Sequence, residues 1–316
     1  MPELEWSSEV ATISNAWDLR KAIRYILEFS KYQSDSHLTA RAVWFKGVNR
    51  ELQLYGPERN GTCGISFIKT QCEYWGKDLD FGIQGRHLPK ILNLFGEEMW
   101  LTIEHSVDNE FVKFTGAGGW LQVPLQDKFS NQTVSVSAPA AMNNPQGLSR
   151  YSLRVFGLKT LSQAVAIQTP KKRAGSEDLT LQCADTYLLI TKQADILQRE
   201  KSYAVFATSD GMENSWQLVI ANHKYLTPCL SVMAKFLKDH RQQQDYEDSY
   251  GQDWDSEEFI EQDEIPDTDL VSITQAYSEA KKKWVLFIDP VPYSEGCRMM
   301  LSVKQPQDVI DRLEGE

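Results

Sequence analysis

Residues 81–127, FGIQGRHLPKILNLFGEEMWLTIEHSVDNEFVKFTGAGGWLQVPLQD, lead from one strand through a helix to further strands. Alternating apolar and polar residues predict a strand at 78–83, and the next segment, 86–95, has the apolar spacing of a helix. Alternation then returns in three runs, the last two joined by a glycine-rich turn typical of a hairpin. The stretch therefore predicts one helix flanked by strands, with the later strands at 99–105, 111–115 and 120–125.

The same order of strand, helix and three strands is predicted four times along the chain. Helical spacing recurs at 17–31, 157–173 and 223–241. Two helical motifs repeat about 140 residues apart, which indicates a duplication. They are Leu19-x-x-Ala22-Ile23 with Leu161-x-x-Ala164-Val165, and Leu88-x-x-x-Leu92 with Leu226-x-x-x-Leu230. The other strands are predicted at 38–45, 51–55, 64–69, 151–156, 179–183, 187–191, 203–208, 216–221, 271–276, 284–289 and 298–303.

A chain of 316 residues is long enough for two domains. We predict an α+β fold with one β-α-β-β-β-type domain at 1–128 and a second at 151–316. Residues 129–150, rich in Ser, Asn, Ala and Pro, are predicted to connect them. Residues 242–269 contain twelve Asp or Glu and no Lys or Arg. We predict a disordered acidic loop there.

Charge is spread unevenly in a chain whose formal net charge is −11. The four predicted helical segments carry +2, +2, +4 and +3 in chain order, which leaves −22 for the rest. An acidic chain excludes a simple nucleic-acid binder that is basic throughout. Basic faces on repeated helices indicate instead a protein that surrounds a polyanion without binding it tightly.

Cysteine use and the first residues bear on the cellular compartment. The N-terminus MPELEWSSEV lacks the regions of a signal peptide, and no apolar run reaches membrane-spanning length. The cysteines form no C-x-x-C pair and have no histidine at zinc-ligand spacing, which is typical of reduced thiols. We therefore expect a cytoplasmic protein. The cysteines are Cys63, Cys72, Cys183, Cys229 and Cys297.

Catalytic motifs are missing from the sequence. It has no G-x-x-x-x-G-K-[ST] loop, no G-x-G-x-x-G after a strand, and no defensible pairing of a nucleophile with a histidine. Asp78 and Asp80 would suit a metal-dependent hydrolase, but alternating carboxylates are also the ordinary solvent face of a strand. We predict no enzyme activity, no cofactor and no metal. A metal-dependent hydrolase that uses the carboxylates of 242–269 is the alternative from another class.

Two stretches resemble the DNA sliding clamp family, which includes the bacterial polymerase III beta subunit and the proliferating-cell antigen of archaea and eukaryotes. The first is 81–127, and the second, at 158–195, reads LKTLSQAVAIQTPKKRAGSEDLTLQCADTYLLITKQAD. Each contains a helix with a basic residue near its start, followed by strands. The resemblance extends over nearly the whole chain outside the acidic insertion.

The resemblance implies antiparallel sheets on the outside of a ring and helices that line its hole. Six such domains close the ring in the family, so two domains per chain imply a homotrimer. Pairing of edge strands between subunits allows closure because it satisfies exposed backbone groups. The implied function is that of a processivity factor, loaded by a clamp-loader ATPase, which encircles double-stranded DNA in the nucleoid and tethers a DNA polymerase or another DNA-acting enzyme.

Lysine and arginine residues on the helices are the predicted DNA contacts, since long cationic side chains attract phosphates without reading the base sequence. Arg20 and Arg24, for example, lie opposite the apolar stripe of the first helix. The alternative is that these residues form the ordinary charged faces of amphipathic helices. The full set is Arg20, Lys21, Arg24, Lys31, Arg86, Lys90, Lys159, Lys171, Lys172, Arg173, Lys224, Lys235 and Lys238.

In the clamp family, short peptides from partner enzymes dock in an apolar pocket beside the connector and the C-terminal strand. The positions that correspond here are Phe129, Val303 and Pro306. The alternative is that this strand belongs to the ordinary core. A second function remains open at this point, namely a specialised clamp-fold ring subunit of a mobile element, a phage, or a repair or defence system.

Overall fold

A computed structural model gives the three-dimensional structure of the chain. It describes residues 6, 11–13, 16–31, 42–57, 66–76, 78–95, 101–108, 110–125, 149–168, 178–183, 187–192, 202–207, 219–249, 267–278, 283–293 and 296–304. These residues divide into two compact units. Unit 1 contains the elements up to Pro124, and unit 2 contains the elements from Ser149 to Val291 and most of the last strand.

The described residues of unit 1 form two helices and eight strands. Helix α1 spans Ala16–Lys31, and helix α2 spans Leu88–Leu92 directly after a 3₁₀ turn at Gly85–His87. The strands are β1 Ala11–Ile13, β2 Ala42–Val48, β3 Glu51–Pro57, β4 Ser66–Glu73, β5 Leu79–Gln84, β6 Leu101–His105, β7 Phe111–Gly116 and β8 Gly119–Pro124.

Unit 2 repeats this order of elements. Helix α3 spans Leu158–Gln168, and helix α4 spans His223–Ser249. The strands are β9 Ser149–Gly157, β10 Asp178–Cys183, β11 Tyr187–Lys192, β12 Ser202–Phe206, β13 Val219–Asn222, β14 Leu270–Ser278, β15 Lys283–Val291 and β16 Cys297–Val303.

In each unit, two β-α-β-β-β modules exchange their first strands. In unit 1 the strand order is β1-β6-β7-β8 in one sheet and β5-β2-β3-β4 in the other. In unit 2 the corresponding orders are β9-β14-β15-β16 and β13-β10-β11-β12. All the pairings are antiparallel. Because each sheet takes one strand from the other module, the two modules of a unit fold as one body.

Aromatic side chains join the two sheets of unit 1. Phe45 of β2 stacks on Phe81 of β5, with ring centroids 5.0 Å apart. Phe114 of β7, in the other sheet, lies 6.0 Å from Phe45 and 6.2 Å from Phe81. All three side chains are buried. Burial of this much apolar surface is the main force that holds the two sheets together.

The helices of each unit lie side by side and cover its sheets. In unit 1, α1 packs on β3 and β4 and contacts α2; in unit 2, α3 packs on β9, β11 and β12 and contacts α4. The repeated motifs occupy the buried faces of these helices, with Leu19 and Leu161 each the fourth residue of its helix. One stripe of apolar residues on each of these helices is therefore buried in the core, and the opposite face is exposed to solvent.

The predicted α+β fold class is confirmed, and every predicted strand overlaps an observed strand. Strand β1 has three residues, which are too few for an alternating pattern to be seen in sequence. Helix α3 is described as far as Gln168, and residues 169–173 of the predicted helical segment lie outside the described residues. The sequence has Pro170 two residues later, and proline disfavours helix both at its own position and at the preceding residue.

Helix α4 corrects the prediction of an acidic loop at 242–269. The helix continues to Ser249, eight residues beyond the predicted end at 241. The added sequence, QQQDYEDS, contains Gln and Glu, which favour helix, so its acidity alone was a poor sign of disorder. Asp269, at the other end of the predicted loop, is buried. Residues 250–266 lie outside the described residues.

Candidate nucleic-acid interface

The solvent face of α1 carries a cluster of cations. Arg24 is exposed, and Arg20 and Lys21 flank it with partly exposed side chains. The buried residues Leu19 and Ile23 lie on the opposite side of the helix. The amphipathic pattern of the sequence therefore fixes the direction of these cations, because the core takes the other face.

The 3₁₀ turn at Gly85–His87 and helix α2 add two exposed cations four residues apart, Arg86 in the turn and Lys90 on the helix. His87 lies between them and is buried, with neither ring nitrogen bonded to a partner in the described part of the chain. Burial lowers the pKa of His87, and the charges of Arg86 and Lys90 lower it further. His87 is therefore neutral at pH 7, and the positive charge of this face comes from Arg86 and Lys90.

In unit 2, most of the predicted DNA contacts whose side chains are described lie on α4. Lys235 and Lys238 are partly exposed there, on the sector left open by the buried residues Met233 and Leu237. Helix α3 carries one lysine, Lys159, in its first turn. The exposed positions of α3 are otherwise neutral, namely Thr160, Gln163, Ala166 and Ile167.

Two aspartates that precede β14 meet the cations of these helices. The Lys159 ammonium lies 3.4 Å from an Asp267 carboxylate oxygen. The Arg241 guanidinium of α4 donates to Asp269, which is buried. The backbone N–H of Leu158 also donates to the carbonyl oxygen of Asp269, at 2.8 Å. Neither ion pair was predicted, because each joins residues far apart in sequence.

Several predicted site residues cannot be placed by their side chains. Lys31 and Lys224 lie on α1 and α4, but their side chains are outside the described residues. Val303 lies in β16, opposite Trp284 of β15, and is buried. Its burial is compatible with a core role as well as with the wall of a pocket. Lys171, Lys172, Arg173, Phe129 and Pro306 fall outside the described residues altogether.

Two exposed aromatic residues on edge strands were missed in the sequence. Trp120 lies on β8, at one edge of its sheet, and its side chain is 64% exposed. Phe206 lies on β12, at an edge of a sheet in unit 2, and is 69% exposed. Tyr187 contacts Phe206, with ring centroids 6.2 Å apart. A large aromatic residue at a solvent-facing position of a strand is the sequence signal that would have found them.

The described residues contain no group of three or more His, Cys, Asp or Glu side chains that could hold a metal ion. Asp80, one of the two carboxylates considered for a hydrolase, is exposed and pairs in register with Lys46. Asp78 is also exposed. None of the helices in the described part of the chain is both long and apolar enough to cross a membrane.

The chain was compared with known proteins by sequence and by structure. No family model matches it, and no curated protein matches its sequence. Its structure is similar to the beta subunit of DNA polymerase III from Thermotoga maritima, with a TM-score of 0.64, 10% identity, and coverage of 95% of this chain and 66% of that one. A Bacillus subtilis DNA polymerase sliding clamp gives a TM-score of 0.61 and 14% identity, with coverage of 96% of this chain and 66% of that one.

The Pseudomonas aeruginosa DNA polymerase III subunit beta gives a TM-score of 0.58 and 11% identity, with coverage of 96% of this chain and 69% of that one. The likeness therefore extends over nearly all of this chain, which spans about two thirds of the length of these structures. At such low identity it is the fold that is shared. The chain has a sliding-clamp fold.

Proposed function

We propose that this protein is a DNA sliding clamp, a non-enzymatic ring that encloses duplex DNA and tethers a DNA polymerase or another DNA-acting enzyme. The observation that carries the proposal is a combination of fold and charge. A clamp fold extends over about 95% of the chain. Within that fold, the solvent faces of α1, α2 and α4 carry Arg and Lys although the chain as a whole is acidic.

The exposed cations suit a ring that moves along DNA. Arg24, Arg86 and Lys90 have side chains long enough to reach phosphates, and they lie on helices or a helical turn instead of in a pocket shaped for one base. Contacts to phosphates carry no sequence information. Because they depend on charge, they also weaken steeply as salt rises. Such a surface attracts duplex DNA without creating a preferred position on it.

Ring closure is proposed to occur through the edge strands β8 and β12. A strand at a sheet edge has unpaired backbone groups and readily adds another strand. Trp120 on β8 and Phe206 on β12 expose apolar surface at these two edges. A head-to-tail contact between β8 of one copy and β12 of the next buries both of these aromatic side chains. A chain with two of the six domains of a clamp ring then closes as a homotrimer.

The proposed partners follow from the clamp function. A closed ring needs a clamp-loader ATPase to open it, and enzymes bind it through short peptides. Phe129, Val303 and Pro306 remain the proposed docking positions. The test adds a peptide that contains a clamp-binding motif and follows the backbone NMR signals of β16. These signals should shift if the assignment is correct, and stay unchanged if Val303 is only a core residue.

The DNA contact is tested by a pair of variants with equal loss of charge. Arg86→Gln with Lys90→Gln removes two exposed cations from α2 and the 3₁₀ turn before it (the α2 variant). Lys46→Gln with Arg50→Asn removes two from the β2–β3 hairpin. Affinity for linear duplex DNA is measured by fluorescence anisotropy from low to high salt. The α2 variant should lose about tenfold in affinity at low salt, and its salt slope should fall by about 0.9 for each lost phosphate contact. Equal losses in both variants would contradict a helix-lined DNA site.

The ring is tested by native mass spectrometry. Wild-type protein should give a trimer of the 36.1 kDa chain. Trp120→Lys and Phe206→Lys should each give monomers, because a lysine ammonium at the buried edge contact is costly to desolvate. Val107→Lys is the matched control, since Val107 is exposed in the β6–β7 turn and belongs to neither β8 nor β12. A monomeric wild type would overturn the trimer.

A further inference from the structure

The open edge of β8 presents a defined set of backbone groups. Just beyond the strand, the Leu125 N–H donates to the Glu110 carbonyl oxygen at 2.8 Å. Along an antiparallel ladder, hydrogen-bonded pairs alternate with pairs whose N–H and C=O groups point away from the neighbouring strand. In the β7–β8 register, Trp120, Gln122 and Pro124 lie an odd number of residues from Leu125 and belong to the second class. Pro124 fits this place because it has no N–H. The N–H groups of Trp120 and Gln122 therefore point to the open edge.

Neither β8 nor β12 carries a charge. Strand β8 has six residues, GWLQVP, and β12 has five, SYAVF, with no Asp, Glu, Lys or Arg among them. Charged side chains are a common protection of a sheet edge against added strands. These two edges lack that protection and expose Trp120 and Phe206 instead. Both are therefore suited to pairing with another uncharged strand.

The neighbouring strands add no free charge beside these edges. Lys113 of β7 lies opposite Gln122, but its ammonium is 3.0 Å from the Glu104 carboxylate and is paired there. At the other edge, Tyr187 of β11 lies opposite Phe206 and contacts its ring. The side chains described in β7 and β11 therefore offer no unpaired ion for a salt bridge across a contact between the two edges.

We propose that β8 of one copy and β12 of the next form an uncharged backbone ladder, with Trp120 and Gln122 as the donors from β8, and that salt does not weaken this contact. The inference rests on the proposed ring closure. Each copy has a net charge of −11, so copies repel one another at low salt. Salt screens that repulsion and removes no ion pair from the contact. Salt therefore acts in opposite directions on the ring and on its attachment to DNA.

Such a contact separates the two ways in which a ring holds DNA. Rising salt weakens the attraction between the basic helices and the phosphates. The ladder between β8 and β12 persists under the same conditions, so the ring stays closed around the duplex. Opening then requires a partner that pulls the two strands apart, since a change of ionic conditions does not separate them.

The first test measures assembly against salt without DNA. Sedimentation velocity is run on the wild type at a concentration that leaves about half of the chains assembled at low salt. The trimer fraction at about 500 mM NaCl should be equal to, or higher than, the fraction at about 50 mM. A trimer fraction that falls as salt rises overturns the inference, because ion pairs then hold the contact, but it leaves the ring in place. Monomers at both salt concentrations overturn the ring, and the inference with it.

The second test locates the donors by amide hydrogen exchange, followed for each residue by NMR. In the wild-type trimer, the amides of Trp120 and Gln122 should be protected. In Phe206→Lys, which changes β12 and leaves β8 intact, both amides should exchange at least about tenfold faster. The amides of Leu121 and Val123 are internal controls, because they donate to β7 in both proteins and should not change.

Two further variants keep the exchange test decisive. Val107→Lys should remain a trimer and keep the amides of Trp120 and Gln122 protected. Phe206→Asp should give the same alternation along β8 as Phe206→Lys, which excludes an effect of the lysine itself. If the wild type is a trimer and these two amides exchange at the same rate in the wild type and in both Phe206 variants, β8 does not pair with β12 and the inference is wrong.

Discussion

Two sheets that hold the same place in units 1 and 2 differ in how they are buried. In β1-β6-β7-β8 the faces alternate, with Ile103 and Phe114 in the core and Glu104 and Lys113 on the other face, paired at 3.0 Å. In β9-β14-β15-β16, residues 271–276 of β14 are buried without a break, on both faces. The strand order is repeated, but the surroundings of the strands are not.

The second helices of the two units also differ. Helix α2 has five residues and α4 has 27. The far half of α4 is held by Arg241 on Asp269 and by His240, whose ring stacks on Tyr293 at 4.6 Å. The two units therefore share an order of strands and helices, but that order does not fix the length of a helix.

The largest effect on stability is expected from a charge placed at a strand position that is buried in the unit 2 sheet and partly exposed in the unit 1 sheet. Thr274 is 1% exposed in β14, whereas Thr115 in β7 is partly exposed. Thr274→Lys should cost about 3–5 kcal/mol, because it buries an unpaired ammonium. Thr115→Lys should cost less than about 1 kcal/mol. Urea unfolding followed by circular dichroism measures both, and similar costs would show that the two sheets are equally buried.

Gly116 and Gly157 sharpen the comparison at the level of the backbone. A Cβ on Gly116 would lie 2.5 Å from the Leu94 carbonyl oxygen, where the end of α2 meets the β7–β8 hairpin. Gly116→Ala should therefore cost about 2–3 kcal/mol, because backbone must move. At Gly157 the nearest contact is 3.8 Å, to the Thr160 hydroxyl. Gly157→Ala is the control and should change the free energy of unfolding by less than about 1 kcal/mol.

The two carboxylate ion pairs provide a smaller contrast. Asp269→Asn leaves the Arg241 guanidinium without its anion beside a buried side chain, and should cost about 1–3 kcal/mol. Glu104→Gln breaks the more solvated pair with Lys113 and should cost about 0–1 kcal/mol. Unfolding at low and high salt distinguishes them, since only the second cost should vanish with salt. If Asp269→Asn behaves like Glu104→Gln, Asp269 is not an anchor.

Acid should weaken unit 1 through two histidines. Burial lowers the pKa of His105, whose ring packs edge-on against Phe81. Burial also lowers the pKa of His87, and the charges of Arg86 and Lys90 lower it further. A lowered pKa means that the folded state binds the proton less well. The contribution of each neutral ring to the free energy of unfolding is therefore complete above about pH 6.5. It is lost as pH falls toward the pKa of the folded state.

Amide hydrogen exchange at pH 7.5 and 5.5 should show this loss as reduced protection in β5, β6 and α2. His87→Gln with His105→Gln should flatten the change with pH without removing the fold. An acid response that is the same in the double variant would assign it to carboxylates and not to these histidines.

Much of the fold could be read from periodicity. The alternation at 111–115 and the helical spacing of Leu19, Ala22 and Ile23 both reflect burial of one face, which leaves a direct trace in sequence. The same logic placed Arg24 on a solvent face. Prediction was less successful at the end of α4, which runs past 241 to Ser249. Ends depend on local competition and on distant anchors such as Asp269.

The edge aromatics and the ion pairs show what sequence alone left open. Trp120 and Phe206 become notable only when β8 and β12 are known to lie at sheet edges. Lys159 and Asp267 are separated by more than a hundred residues, and no pattern in either segment points to the other.

By itself, the sequence determined the helices and most of the strands, and which helix faces are basic, because these follow from the side-chain period of each element. The tertiary structure alone decided which strands exchange between modules, which sheet is buried on both faces, and which carboxylate meets which cation. These depend on contacts between residues distant in the chain, and the energy of such contacts leaves no local pattern.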